Sequence, residues 1–179
     1  MRATAVITLV ASATVALPAV GAAQDQMPEN YRQVQLSALQ LQRSMLIAMA
    51  DSMPENLYRD KATPAQRDFA QQIHHAAGAM VFLVARNMGG ERPTLPDTAA
   101  TFNSRAGLTS FVNGAYDFAE GVLRDQTAAS RAESVDFFGN EMPRWQIWDE
   151  LHQHTIWTAG QVVANFRKHG MAPPGFGFF

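Results

Sequence analysis

Four stretches of this chain repeat their apolar residues at helical spacing, and proline or glycine interrupts the chain between them. That pattern constrains the fold more than any other feature of the sequence. From Tyr31 to Ser52, Val34, Ala38, Leu41, Met45 and Ala48 recur along one face, with Leu39, Leu46 and Ile47 widening it. Met53–Pro54 stops this helix, because proline disfavours helical backbone in the residue before it. The second helix is predicted to start at Thr63 as N-cap, with Pro64 in the first helical position and Gln66 completing capping-box spacing. Phe69, Ile73, Ala76, Ala77, Met80, Val81 and Val84 form its stripe, and Gly89–Gly90 ends it. A loop with two prolines, Glu91 to Asn103, follows.

The third helix is predicted from Ser104 to Asp125, buried through Leu108, Phe111, Val112, Ala115, Phe118, Ala119 and Val122. The connection from Gln126 to Met142 is too long for a tight turn, so part of it should pack on the bundle, anchored by Phe137 and Phe138. The fourth helix runs from about Pro143 to Lys168–His169–Gly170, with Gly170 suited to a left-handed cap and Pro173–Pro174 barring continuation. Trp148, Leu151, Thr155, Ala159, Val162 and Phe166 are its buried stripe. No strand shows sustained alternation. The predicted class is all-α, a four-helix bundle around one core.

The N-terminus reads as a secretory signal peptide over 1–23. Met1–Arg2 is a short cationic start, Ala5 to Val20 an apolar run broken by Pro18, and Gly21–Ala22–Ala23 a small-residue cleavage site. The mature domain, 24–179, is then expected in the periplasm or secreted, with no membrane attachment after cleavage. The chain holds 14 Lys and Arg against 16 Asp and Glu with no basic cluster, which argues against a nucleic-acid surface. It has no cysteine, so any metal site must use histidine, carboxylate or hydroxyl.

A second, wholly polar stripe runs beside the apolar one on the fourth helix: Glu150, His154, Thr158, Gln161 and Asn165. Residues four apart lie above one another, so His154 and Thr158 can address one point. The stripe is either the wet side of an amphipathic helix or a buried face whose groups are paired or ligate something. On the second helix, His74 and His75 are adjacent and point about 100° apart, so at most one faces a shared centre. Asp149 and His152 have the offset of a di-iron carboxylate motif, but the core stripes lack the further glutamates such a centre needs. Met45, Met49, Met53 and Met80 read as core filler. The aromatic tail Pro173–Phe179 is expected to fold back on the bundle.

Taken in order, several blocks resemble the DinB family of four-helix-bundle metalloproteins. They are Ser52–Met53–Pro54–Glu55–Asn56–Leu57–Tyr58, Ala62–Thr63–Pro64, Phe69 to Gly78, His154 to Gln161, Phe166–Arg167 and Gly170 to Pro174. The resemblance covers most of the mature chain. It implies a divalent metal (zinc, nickel or iron) held by one histidine of the second helix and two of the fourth. His75 then takes the second-helix position and His74 is extra. His154 matches the first histidine of the fourth helix, and Thr158 occupies the place of the second. Threonine is a poor ligand for a divalent cation, so either water, Glu150, or Asp117 or Glu120 of the third helix compensates, or His75, His154 and Thr158 form a metal-free polar cluster joined by hydrogen bonds. Asp117 and Glu120 read as solvent-facing.

Two functions follow as expectations. One is an exported metal-binding protein with hydrolase or transferase chemistry on an unidentified small-molecule substrate. The other is a non-enzymatic bundle that binds a small apolar ligand or a protein partner in the former metal cleft. The second reading expects an open cleft lined by Trp157, Phe82 and His154. Some bundles of this type also pair as homodimers.

Overall fold

The computed structural model describes residues 27–96 and 98–175; the expected leader and Phe176–Phe179 lie outside that range. Four long helices carry the fold: α1 (Tyr31–Ser52), α2 (Phe69–Asn87), α4 (Arg105–Asp125) and α6 (Arg144–Lys168). Between them lie a 3₁₀ turn (Glu55–Leu57), short helices α3 (Thr98–Asn103) and α5 (Ala128–Ala132), and strands β1 (Ser134–Phe137) and β2 (Asn140–Pro143). Helices α1 and α2 both pack on α4 and α6 and scarcely touch each other, so they occupy opposite corners of the bundle. The axis is filled by Leu39, Leu46, Ile73, Leu108, Trp148 and Phe166, all inaccessible to solvent. Among the described residues no helix is long and apolar enough to cross a membrane.

Helix α2 begins later than its sequence predicts. Thr63 and Gln66 form an isolated turn, and Asp68 is the N-cap, accepting from the Gln71 amide at 2.8 Å while the Gln71 side chain accepts from the Asp68 amide. The amides of Phe69 and Ala70 donate to the carbonyls of Asp60 and Tyr58. The first turn of α2 therefore leaves none of these donors orphaned. Tertiary contacts decide between the two capping sequences. Phe69 sits between the rings of Tyr58 and Phe166, at 5.3 and 5.9 Å, and Arg59 pairs with Asp68 at 3.0 Å.

The loop after α2 contains α3, which the proline-rich sequence did not suggest. Helix α3 crosses α4 at Gly107, where an added Cβ would lie 2.1 Å from the Ala100 carbonyl oxygen. The long connection before α6 folds into α5 and a small antiparallel hairpin, two strands that sustained alternation did not mark in the sequence. Each strand has only four residues, too few to display alternation. Phe138 and Gly139 both have positive φ, 54° and 86°, as the tightest hairpin turns require. Phe137 packs against the core as expected, but Phe138 is exposed and lies beside the Arg86 guanidinium. Helix α6 ends as predicted. Gly170 has φ +68°, and the Met171 and Gly170 amides close back on Phe166 and Arg167.

Candidate functional site: a histidine seam and its adjoining cleft

The polar stripe of α6 lies against α2. Thr158 and Asn165 are buried, while Glu150, His154 and Gln161 are half-buried. Gln72 Nε2 donates to the Thr158 carbonyl and to Gln161 Oε1, both at 3.2 Å. Asn165 Nδ2 donates to the Asp60 carbonyl at 3.0 Å. The stripe is therefore an interhelical seam rather than a wet face, and its buried groups are paired, as burial demands.

His75 and His154 meet across this seam with ring centroids 5.2 Å apart. Burial lowers both pKa values, and the Arg67 guanidinium lowers them further. Both rings are neutral at pH 7, so each offers a lone pair. His74 turns away, stacking on Phe111 at 4.1 Å and meeting the edge of Phe102 at 5.0 Å.

Nothing strong joins the pair. Thr158 is buried in the seam and contributes only a neutral hydroxyl. Glu150 sits one turn before His154, yet among the described residues no group of three or more His, Cys, Asp or Glu converges to hold an ion. The expected third-helix carboxylates face α1 instead. Asp117 is exposed and pairs with Arg43 at 2.7 Å. Glu120, expected at the surface, is buried between Arg43 and Arg124, because those two guanidiniums make its burial tolerable. Zinc centres take three or four protein ligands. Two imidazoles and a hydroxyl do not fit the three-histidine centre that the resemblance implies.

An open cleft of about 570 Å³ follows the exposed face of α2, between that helix and 92–96. His74, His75, Gly78, Phe82, Leu95 and Phe111 line it. A smaller hollow of about 300 Å³, lined by Arg67, Gln71, His74, His75 and Phe102, adjoins it at the two histidines. Of the three residues expected to line a ligand cleft, Phe82 does so. Trp157 is 74% exposed, and neither it nor His154 lines the cleft. A separate groove of about 220 Å³ between α1 and α6 is lined by Met45, Met49, Ile156 and Gly160 and by the tail residues Pro174 and Gly175.

A further polar assembly joins α1, α4 and α6 inside the bundle. Tyr116 donates to Gln42 Oε1 at 3.3 Å, and Gln42 Nε2 donates to His152 Nδ1 at 2.5 Å. His152 Nε2 donates to Gln35 Oε1, and Gln35 Nε2 donates to Asp149 Oδ1 at 2.6 Å. Tyr31 bonds both Asp149 and the Trp145 carbonyl. Asp149 and His152 thus face amides and phenols rather than glutamates. The sequence signal was the seven-residue spacing of Gln35 and Gln42 on an otherwise apolar face, which an apolar pattern search passes over.

The backbone fold is similar to that in a crystal structure of a DinB-like protein from Bacillus cereus ATCC 10987. The TM-score is 0.65 at 17% identity, over 80% of this chain and 95% of that one. The fold is DinB-like. No protein-family model matches the chain, and no curated protein matches it. At this identity the likeness extends to the DinB-like backbone and not to ligands or chemistry.

Proposed function

We propose that this protein is a DinB-like bundle that binds a small, largely apolar molecule in the cleft along α2, and that its metal station is reduced to the His75–His154 pair. One contrast carries the reading. Among the described residues the two imidazoles lack a third strong ligand, while beside them lies a cleft of about 570 Å³, a size that suits small-molecule sites. Its walls are the apolar faces of Phe82, Leu95 and Phe111, with imidazoles at one end. The leader-like N-terminus supports placing this binding activity outside the cytoplasm. Titration with the neutral fluorophore Nile red tests the reading. Saturable, blue-shifted emission that Gly78→Leu removes is expected; emission unchanged by Gly78→Leu would sink it.

A second reading rests on the meeting of His75 with His154 at 5.2 Å. Two neutral imidazoles can hold a divalent ion weakly, with water completing its coordination and Glu150 close enough in sequence to rotate in. Elemental mass spectrometry on protein purified without chelator decides it. About one equivalent of metal, lost in His154→Ala, would establish a compensated site.

A further inference from the structure

One face of α2 supplies the floor of both hollows. Gln71, His75, Gly78 and Phe82 recur four, three and four residues apart, so they lie in one line about 16 Å long, with His74 beside it against Phe111. The character of that line changes along its length. At the N-terminal end Arg67 and Gln71 join the two histidines. At the other end Phe82, Leu95 and Phe111 present carbon. Gly78 keeps the middle open, since a Cβ there would meet His74 and Phe111 only at ordinary contact distance, 3.7 Å, and would project into the cleft.

Arg67 is exposed and forms no ion pair among the described residues. Its neighbour Asp68 cannot neutralise it, because that carboxylate caps α2 and pairs with Arg59. Arg92 also lacks an ion pair among the described residues, but it stands on the outer wall of the cleft and does not line the polar hollow with Gln71 and the two histidines. The hollow that adjoins the cleft thus carries, in Arg67, a guanidinium without an ion pair among the described residues. A guanidinium with a planar fork of donors, next to a side-chain amide, is matched by a carboxylate.

We infer that the cleft takes a small amphipathic carboxylate, with its head on Arg67 and Gln71 and its hydrocarbon tail over Gly78 against Phe82, Leu95 and Phe111. This inference rests on the proposed binding function and adds the charge class and orientation of the ligand. The head lies beside the histidine seam, so an anion at that end also offsets the positive field of Arg67 on the two imidazoles. The line of α2 accommodates a chain of eight carbons, and the volume leaves room for a ring in its place.

Calorimetric titration of the full chain with octanoate, 1-octanol and octylammonium separates head from tail, since the three share one chain and differ in charge. Octanoate is expected to bind about tenfold more tightly than octanol, and octylammonium more weakly than either. Arg67→Gln should bring octanoate to the level of octanol and leave octanol unchanged. Gly78→Leu should abolish binding of both, while Gly78→Ala, which fits sterically, confirms that substitution there does not unfold the helix. If octanol and octanoate bind alike and Arg67→Gln alters neither, the carboxylate inference is wrong and the apolar-ligand function stands. If Arg92→Gln rather than Arg67→Gln removes the preference, the orientation is wrong. If none of the three probes binds, both the inference and the function beneath it fail.

Discussion

Nδ1 of His152 accepts a hydrogen bond from Gln42 Nε2 at 2.5 Å, and this fixes the protonation state of the ring as well as its position. With Nδ1 an acceptor and Nε2 donating to Gln35, the ring is the neutral tautomer. Burial pushes its pKa down from 6.5 to about 4. The assembly has one consistent donor direction, from Tyr116 through Gln42, His152 and Gln35 to the Asp149 carboxylate.

Stability should therefore fall as the pH drops from about 6.5 towards 4. In that window the unfolded chain takes up a proton on His152 that the folded chain refuses. The lowered pKa values of His74, His75 and His154 act in the same direction. Burial raises the Asp149 pKa, which favours the folded state at low pH and softens the lower end of the fall. Urea midpoints for the full chain at pH 7, 6, 5 and 4.5 should decline. The decline should be shallower in His152→Gln, which has no proton to gain at this position. Equal slopes would remove His152 from the account.

Replacing Gln35 by leucine strands the His152 donor and leaves Asp149 Oδ1 with Tyr31 as its remaining partner. The expected cost is about 1–3 kcal/mol, because a buried group left without a partner loses its full solvation. Gln33→Leu, exposed on the same helix, should change stability by less than about 0.5 kcal/mol. Urea unfolding of the two variants measures the difference.

The start of α2 gives a direct comparison between two local capping sequences. Asp68→Ala removes a cap seen bonded in both directions and should cost about 1–2 kcal/mol. Thr63→Ala, at the cap that the sequence suggested, should be close to neutral. Thermal unfolding of each variant is sufficient, and a larger loss at Thr63 would contradict the observed boundary.

Two helical glycines should respond oppositely to alanine. At Gly107 a methyl group would press into the Ala100 carbonyl, so Gly107→Ala should lower the melting temperature by forcing α3 off α4. At Gly78 nothing clashes, and Gly78→Ala should stabilise by about 0.5–1 kcal/mol through lost backbone entropy in the unfolded chain. Differential scanning calorimetry would read both.

Much of the helical architecture was legible because local chemistry dictates it. Ser104, Pro143 and Gly170 mark helix ends by capping and by backbone freedom, which need no distant partner. The apolar stripe of α6 is buried as read, Trp148 through Phe166. The face of α1 was read slightly rotated: Val34 is exposed, while Tyr31, Gln35 and Gln42 are buried. A polarity pattern cannot see that Gln42 has His152 and Tyr116 waiting across the interface. Glu120 was misread for the same reason, since its neutralising partners Arg43 and Arg124 include one on another helix. His75 meets His154 of α6 while His74 stacks on Phe111, a division that the adjacency of the two histidines on one helix makes necessary. The cleft was illegible in the sequence because its outer wall depends on how 92–96 runs past α2.

The most direct measurement is a ¹⁵N–¹H correlation spectrum of the full chain titrated with 1-octanol. Saturable shifts centred on the amides of Gly78, Ala79, Phe82, Leu95 and Phe111 are expected if the α2 cleft is the binding site. Shifts centred instead on Met45, Met49, Ile156 and Gly160 would place the ligand in the groove between α1 and α6 and contradict that assignment.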